Sequence, residues 1–504
     1  MLRAPVAWCL LLAAMPAAPA GAETTRARTP LARRLQALAD NSPVARRAFW
    51  GARVVDTGSG AVLLENNAGH FFVPASNAKL FSTALALMRL GPDHRFHTVV
   101  LADQSPDADG TLHGDLRLVG GGDPTLSARA IPYSKDAAAG NPLAALEDLA
   151  GQVAARGVRR VEGGIVGDDT AYVWEPYAEG WAQDDTLWEY GAPVGALSFN
   201  DNALALEVSP GQQPGEPVRL ALTPPLDYFL LDNRVRTGKK GEQAVHFERP
   251  PGSREVRVWG TAGSRSVHLL AVEDPARFAA WAFRDALARR GVVVSGGVAT
   301  RHRLAAEVAD LKSGVPQPPV EGVEMARRTS PPLVETLKII NKVSQNLHAE
   351  IVLREVARVR RNMGSRQAGL EEMRAFLAEI GISPQDAILH DGSGLSRLNL
   401  VTPRALTTLL EAMHRSPYRE AWIDLMPVGG EDGTLAERFG GSAPARRIRA
   451  KTGTMTGVNA LSGYAQTAGG RLLAFSILVN NSGLPSSAAR RFIDTIVLTL
   501  AEWR

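Results

Sequence analysis

Apolar residues recur at intervals of three and four along some stretches of this chain and alternate with polar residues along others. The first pattern is typical of helices packed on a core, and the second of half-buried strands. Helices are predicted for residues 31–38, 76–90, 142–156, 275–290, 333–340, 347–360, 367–380 and 486–503. Strands are predicted for residues 48–55, 61–64, 97–101, 115–119, 160–169, 203–208, 218–222, 244–247, 256–261, 267–271, 292–300, 448–454, 460–466 and 471–480.

The order of these patterns divides the chain into unlike parts. Residues 48–90 and 330–504 mix helices with strands, whereas residues 203–271 contain strand patterns alone, spaced by Pro and Gly turns. This order predicts an α/β (α+β) fold around a small β domain. Residues 312–319, which contain three prolines, are predicted to be a linker.

The N-terminal segment has the organisation of a secretory signal peptide. Arg3 precedes an apolar core over residues 6–14, and Ala20-Gly21-Ala22 has the small residues of a cleavage site. The chain's single cysteine, Cys9, lies within this segment. A mature chain starting after Ala22 would therefore lack disulfides and cysteine ligands, which fits a large protein exported to a bacterial periplasm or cell-wall space.

The remaining composition excludes several other classes of function. The formal net charge is +4, and no basic block interleaved with aromatic residues indicates a nucleic-acid partner. No run after the signal segment is long and apolar enough to predict a transmembrane anchor. The histidines at 94, 97, 348 and 390 lack the spacing of metal ligands, so neither a metal nor another cofactor is predicted.

The candidate chemistry begins with Ser76-Asn77-Ala78-Lys79. This tetrapeptide lies after Pro74 and before an apolar stripe that ends at Gly91, so Ser76 is expected at a helix start with Lys79 one turn later. A serine hydroxyl becomes a strong nucleophile when a base takes its proton, and a neutral lysine can be that base. Ser-x-x-Lys alone is common by chance, so this motif needs support from the rest of the chain.

Two further motifs give that support. Ser344-Gln345-Asn346 falls in a predicted break between two helices, and Lys451-Thr452-Gly453-Thr454 falls at a predicted strand. Ser-x-x-Lys, Ser-x-Asn and Lys-Thr-Gly in this order are typical of serine β-lactamases and penicillin-binding proteins. Ser198-Phe199-Asn200 is a second Ser-x-Asn, which precedes a strand, and Ser344 is preferred because it lies at a helix junction.

The residue types fit an acyl-transfer reaction. Ser76 would become acylated, Lys79 would accept its proton, and the Ser344 hydroxyl would relay a proton to the leaving amine. Asn346 would hold Lys79 and bind a substrate amide. The other residues expected to contact the substrate are Lys451 and Thr452 at a terminal carboxylate, Gly453 along a substrate strand, and Thr454, whose N–H with that of Ser76 would form the oxyanion hole.

Longer stretches carry a family resemblance. They cover residues 114–126, 190–202, 391–397, 450–454 and 461–464, and 265 residues separate Lys79 from Ser344. The chain resembles the D-alanyl-D-alanine carboxypeptidase/endopeptidase family of class C low-molecular-mass penicillin-binding proteins, of the penicillin-binding protein 4 type. The resemblance covers nearly the whole mature chain.

The resemblance implies a penicillin-recognising fold with two nested, mainly β inserted domains. Residues 23–98 and 315–504 would form the catalytic domain, residues 99–200 and 284–314 the inserted domain II, and residues 201–283 the nested domain III. The implied partners are peptidoglycan stem peptides and cross-links, from which the family removes terminal D-alanine, and β-lactams, which inhibit it. The oligomeric state stays open, with a homodimer as one candidate.

The resemblance also implies a wall that meets the free amino end of the substrate side chain. Asp185, five residues before Tyr190, is the match for the family's acidic residue, with Asp184 as the alternative. Gln183 departs from the family, whose members often carry tryptophan there. The segment Asp391-Gly392-Ser393-Gly394 is expected to be a structural loop at the edge of the site.

Two other functions compete with a D,D-peptidase. A β-lactamase shares the three motifs, but the long insertion argues against it. A wall-binding module without activity would not need an intact Ser76, Lys79, Ser344 and Lys451. A serine D,D-carboxypeptidase that also cleaves cross-links is therefore the favoured hypothesis.

Overall fold

The computed structural model describes residues 30–137, 140–307, 311 and 321–504. The helices are α1 (Pro30–Asp40), α2 (Pro43–Arg47), α3 (Lys79–Leu90), α4 (Ala144–Ala155), α5 (Pro275–Arg289), α6 (Leu333–Lys342), α7 (Asn346–Arg361), α8 (Arg366–Glu379), α9 (Pro403–Arg415), α10 (Arg419–Asp424) and α11 (Ser486–Glu502). No helix in these ranges is long and apolar enough to cross a membrane.

The strands are β1 (Phe49–Asp56), β2 (Val62–Asn66), β3 (His97–Ala102), β4 (Thr111–Leu112), β5 (Leu116–Gly120), β6 (Arg160–Val161), β7 (Ile165–Val173), β8 (Ala203–Ser209), β9 (Arg219–Thr223), β10 (Leu230–Thr237), β11 (Gln243–Glu248), β12 (Glu255–Ala262), β13 (Ser266–Ala271), β14 (Val293–Val294), β15 (Val298–Arg303), β16 (Val323–Thr329), β17 (Ala387–Ile388), β18 (Leu400–Val401), β19 (Ile448–Met455), β20 (Val458–Gln466) and β21 (Leu472–Asn480).

One five-stranded antiparallel sheet joins the two ends of the chain. Its order is β19-β20-β21-β1-β2, so the N-terminal hairpin β1–β2 completes a sheet begun by the last three strands. Apolar residues of α1 and α11 bury one face of this sheet. Apolar residues of α3 and α6–α10 form a second core, which buries the other face. The sheet is therefore an interior layer, and β19 and β2 are its two edge strands.

A second five-stranded sheet, of order β15-β7-β5-β3-β16, lies in the middle of the chain. Helices α4 and α5 pack against it. Two three-stranded sheets, β13-β8-β9 and β10-β12-β11, share a continuous apolar core with it. The division into a catalytic domain, domain II and domain III remains a proposal; β16 pairs with β3 even though residues 323–329 fall in the segment assigned to the catalytic domain.

Most predicted elements are present within one to three residues of their expected bounds, and the prediction of an α/β (α+β) fold is confirmed. Four longer elements were not predicted, namely β10, β16, α9 and α10. The predicted strand over residues 160–169 is divided between β6 and β7, and that over residues 292–300 between β14 and β15. The signal peptide lies outside the described residues, as does the linker predicted for residues 312–319.

Candidate active site

Ser76 lies on a tight turn at the start of α3. Residues Ala75–Ala78 form one 3₁₀ turn, and Lys79 begins the α-helix, as the motif predicted. Ala75 has a φ of +47°, in the left-handed region that a non-glycine residue rarely adopts. The turn leaves Ser76 partly exposed while its neighbours Ala75 and Asn77 are buried. The Ser76 side chain is thereby presented to solvent from a buried turn.

The Lys79 amine lies among three oxygen atoms. Its Nζ is 2.8 Å from Ser76 Oγ, 2.5 Å from Asn346 Oδ1 and 2.6 Å from the Ser393 carbonyl oxygen. A neutral lysine amine has two N–H groups and one lone pair. Because the Asn346 and Ser393 oxygens are pure acceptors, they take the two N–H groups and leave the lone pair facing the Ser76 hydroxyl.

Burial makes the neutral form of this amine accessible. The side chain of Lys79 is fully buried, and desolvation lowers its pKa from 10.5 to about 7. The carboxylates of Asp391, Glu350 and Glu189 act in the opposite direction and keep the pKa from falling further. About half of the Lys79 amines are therefore unprotonated at neutral pH.

The Ser-x-Asn motif lies in the short break between α6 and α7. Ser344 has a φ of +66°, and Asn346 is the first residue of α7. Asn346 Nδ2 donates to the Tyr190 carbonyl oxygen at 2.7 Å, while its Oδ1 faces Lys79. The amide of Asn346 thus connects the catalytic helices to the segment that ends the predicted substrate wall.

The Lys-Thr-Gly motif approaches from β19. Lys451 Nζ donates to Ser344 Oγ at 2.8 Å and to the Thr452 carbonyl oxygen at 3.0 Å. Burial, and then the nearby Lys79, hold the pKa of Lys451 well below its usual value. Thr452 Oγ1 donates to Thr434 Oγ1 at 2.9 Å, and Thr454 is exposed. Three segments distant in sequence therefore meet at Ser76, Ser344 and Lys451.

Gly453 is required by close packing behind the strand. A Cβ atom at this position would lie 2.5 Å from the Pro74 carbonyl oxygen and 3.1 Å from Asn77 Nδ2. Asn77 Nδ2 in turn donates to the Lys451 carbonyl oxygen at 3.0 Å. This glycine therefore makes room for the Ser76 turn, and its expected role along a substrate strand stays a prediction.

The predicted substrate wall is a pair of 3₁₀ turns, Gln183–Leu187 and Glu189–Gly191. The Asp185 carboxylate accepts hydrogen bonds from the Ala182 N–H, at 3.3 Å, and from the Tyr190 hydroxyl. Burial, and after it the charge of Asp185, raises the pKa of Tyr190 to about 12. Tyr190 is 44% exposed, and its contact with the site runs through its backbone carbonyl. The alternative residue, Asp184, is exposed.

The second Ser-x-Asn has a different environment. Ser198 is buried, its Oγ donates to the Gly195 carbonyl oxygen and accepts from Asn202 Nδ2, and Asn200 donates to the Ala203 carbonyl oxygen. These bonds hold a turn before β8 rather than a group near Ser76.

Sequence reasoning missed the residues that support the site from behind. Glu350 is fully buried, accepts from the N–H groups of Gly392 and Ser393 at 2.9 and 2.8 Å, and pairs with Arg354 at 3.1 Å. Burial, with the charge of Asp391 next, raises the pKa of Glu350. The loop that presents the Ser393 carbonyl oxygen to Lys79 is thus fixed by a carboxylate on α7, one turn after Asn346.

Gln345, between Ser344 and Asn346, was also missed. It is buried, its Oε1 accepts from the Leu347 N–H at 2.6 Å, and its Nε2 donates to Glu189 Oε1. Burial raises the pKa of Glu189 to about 7, helped by Asp201 and opposed by Arg129. Its position between Ser344 and Asn346 could have indicated a supporting role, because a buried glutamine must find hydrogen-bond partners for its side-chain amide.

The described residues contain no group of three or more His, Cys, Asp or Glu side chains that could hold a metal ion.

Comparison with known sequences gives a consistent family. The profile of the D-Ala-D-Ala carboxypeptidase 3 (S13) family matches residues 31–503. A D-alanyl-D-alanine carboxypeptidase from Actinomadura sp. (strain R39) is 36% identical over 503 residues, which cover 97% of this chain and 87% of that protein. D-alanyl-D-alanine carboxypeptidase DacB from Haemophilus influenzae is 26% identical over 433 residues, covering 83% and 82%.

Comparison with solved structures supports the fold. Penicillin-binding protein 4 from H. influenzae superposes with a TM-score of 0.79 at 23% identity, covering 93% of this chain and 99% of that one. The same protein complexed with a β-lactam superposes with a TM-score of 0.74 over the same shares. The predicted penicillin-recognising fold is confirmed by these superpositions.

Proposed function

Because the chain belongs to the D-Ala-D-Ala carboxypeptidase 3 (S13) family, we propose that it is a periplasmic serine enzyme that trims and cleaves peptidoglycan peptides. It removes the terminal D-alanine of stem peptides and hydrolyses D-alanyl cross-links with the same site, and β-lactams inhibit it. The observation that carries the mechanism is the Lys79 amine, 2.8 Å from Ser76 Oγ, with both of its N–H groups directed at other acceptors.

Acylation begins when Ser76 Oγ attacks the carbonyl carbon of the penultimate D-alanine. Its proton passes to Lys79 Nζ, and the oxyanion that forms is stabilised by the backbone N–H groups of Ser76 and Thr454. The C–N bond then breaks, and the leaving amine receives a proton through the Ser344 hydroxyl. The acyl-enzyme is hydrolysed by water in the same sequence of proton transfers, which releases the shortened peptide.

Recognition of the terminal carboxylate is assigned to Lys451 and to Thr452 beside it. Burial disfavours the charged form of Lys451, so an arriving carboxylate would restore the charge and gain a strong hydrogen bond. Thr454 lies at the exposed end of the same edge strand. An extended peptide can add to such an edge through backbone hydrogen bonds, which would align its carbonyl with Ser76.

Cleavage of cross-links requires room for a branched substrate with a free amino group. Asp185 and Tyr190 are assigned to this end of the substrate, because a carboxylate and a phenol attract and orient an ammonium group. Carboxypeptidase and endopeptidase activity then share one acylation step and differ in the leaving amine. A β-lactam would acylate Ser76 in place of the peptide.

The test is product analysis with purified protein. A peptide ending in D-Ala-D-Ala is expected to lose one D-alanine, and a cross-linked muropeptide dimer to give two monomers by mass spectrometry. Ser76→Ala should abolish both reactions, whereas Ser59→Ala, in the exposed turn between β1 and β2, should preserve them. Binding of muropeptides without any release of D-alanine would contradict the proposal, as would rapid turnover of a cephalosporin.

A further inference from the structure

A large cavity lies behind the wall that carries Asp185 and Tyr190. It has a volume of about 1320 Å³ and separates the wall segment from the sheet β10-β12-β11. Ligand cavities in proteins commonly measure about 300–1,000 Å³. The space is therefore large enough for a ligand of more than one ring, and none of the proposed catalytic residues lines it.

The lining combines apolar surface with carboxylates. Trp188 packs edge-to-face on Phe247 with 5.5 Å between ring centroids, and Leu230, beside them, is 58% exposed. The charged groups of the lining are acidic in majority, with Asp184, Asp232, Glu248 and Glu255 against Arg249 and Arg257. Asp232 and Glu248 pair with Arg257 at 3.2 and 3.9 Å, and Asp232 also pairs with Arg234 at 2.6 Å, so the lining is close to neutral in charge. A neutral ligand with apolar faces and many hydroxyl donors, such as a sugar, matches it.

Arg249, one of the two arginines that line the cavity, is held by hydrogen bonds to the wall segment. Arg249 donates to the Thr186 carbonyl oxygen at 2.9 Å and to the Ala271 carbonyl oxygen, so it fixes the wall segment against β13. Burial lowers the pKa of Arg249, which is consistent with a guanidinium held inside the structure rather than on its surface. The cavity is therefore bounded by side chains with defined partners.

One short segment separates the cavity from the candidate active site. Trp188 lines the cavity, and the next residue, Glu189, accepts a hydrogen bond from Gln345 in the Ser-x-Asn motif. A stem peptide extends by about 3.3–3.6 Å per residue, so four residues reach about 13–14 Å. The glycan end of a peptide bound at Ser76 therefore lies up to about 13–14 Å from Ser76, and the cavity wall belongs to the segment that contacts the Ser-x-Asn motif.

We propose that this cavity binds amino sugars of the glycan strand to which the substrate peptide is attached. The apolar faces of the sugar rings lie on Trp188, Phe247 and Leu230, and the carboxylates of the lining accept hydrogen bonds from the sugar hydroxyl groups. The inference rests on the proposed function, and it makes the enzyme prefer peptides that are still joined to glycan.

The test compares two substrates that have the same peptide. One is the free peptide ending in D-Ala-D-Ala, and the other is the same peptide joined to its disaccharide. Wild-type protein is expected to show a kcat/KM about tenfold higher for the disaccharide-linked peptide. Leu230→Glu should lower this ratio to near one, because it puts a charge on the apolar floor. Leu269→Glu, at a 50% exposed leucine on β13 outside the cavity lining, should keep the wild-type ratio.

A second measurement uses the peptide-free disaccharide as the probe. Calorimetry should detect its binding to wild-type protein and to Leu269→Glu, and weaker binding to Leu230→Glu. Equal kcat/KM values for the two substrates in wild-type protein would overturn the inference, as would an unchanged ratio in Leu230→Glu. Failure to hydrolyse the free peptide would instead contradict the proposed function, so the two outcomes are distinguishable.

Discussion

Replacing Lys79 by arginine tests the base directly, because arginine keeps a cation at this position and does not lose its proton near neutral pH. With a pKa of about 7, half of the Lys79 amines are free at pH 7. A lysine with the ordinary value of 10.5 would be free in about one molecule in 3,000. We therefore expect Lys79→Arg to slow acylation at pH 7 by about 10³-fold or more.

The pH dependence of the wild-type protein provides the second half of this prediction. The reactive form is the free amine, so the acylation rate should rise as pH increases through 7 and level off above about pH 8. A single group with this pKa gives about a tenfold rise between pH 6 and pH 8. Lys79 also faces Asp391, Glu350, Lys451 and Glu189, and Glu189 gains charge in the same range. This added negative charge should spread the rise over a wider pH interval.

The assay is stopped-flow acylation by a fluorescent penicillin at pH values from 5.5 to 9. Lys338→Arg, on α6, where the lysine pairs with Asp424 at 2.9 Å, is the matched control and should keep the wild-type profile. A Lys79→Arg protein that is acylated at a rate within tenfold of wild type would refute the role of Lys79 as base. A wild-type rate that does not change between pH 6 and pH 8 would refute it as well.

Three further substitutions test the support of the site. Glu350→Ala leaves the guanidinium of Arg354, which is 1% exposed, without its carboxylate partner. The free energy of unfolding should therefore fall by about 3–5 kcal/mol in a denaturant titration, and an unchanged midpoint would contradict this. Gln345→Ala removes the hydrogen bond to Glu189 in the wall segment, so kcat/KM should fall about tenfold while the melting temperature changes little. Full activity would show that this hydrogen bond does not position the Ser-x-Asn motif. Gly453→Val places atoms against the Pro74 carbonyl oxygen and should abolish penicillin labelling, whereas normal labelling would show that the turn can move.

The three motifs could be found from sequence because each is a local pattern with a definite chemistry. Ser76 and Lys79 needed one helical turn to be brought together, and the sequence predicted that turn. The contact between Lys451 and Ser344 spans 107 residues, and chain order was the signal that linked the two motifs. The local patterns therefore identified side chains that the structure brings together.

The support of the site could not be predicted in the same way. Glu350 resembles any charged residue of an amphipathic helix, and its burial depends on Arg354 and on a loop about 40 residues later. Tyr190 was identified by its side chain, whereas its contact with Asn346 uses the backbone carbonyl, which no residue type encodes. Such contacts become visible only when the packing of helices and loops is known.

The missed elements have physical reasons of their own. Most side chains of β10 stay at least partly exposed, so the strand lacks the alternation that marks one buried face. The start of helix α9 could have been predicted from the sequence, because Thr402 is an N-cap that accepts from the Ala405 N–H and Pro403 follows it in the first turn. The first miss shows a limit of periodicity, and the second shows a capping signal that was overlooked.

Ser76 is proposed as the nucleophile of a site assembled from three distant segments. The most direct measurement is mass spectrometry of the intact protein after brief exposure to penicillin, followed by peptide mapping of the adduct. We expect one penicilloyl group per chain on the peptide that contains Ser76, and no adduct in Ser76→Ala. An adduct on another residue, or one that persists in Ser76→Ala, would contradict it.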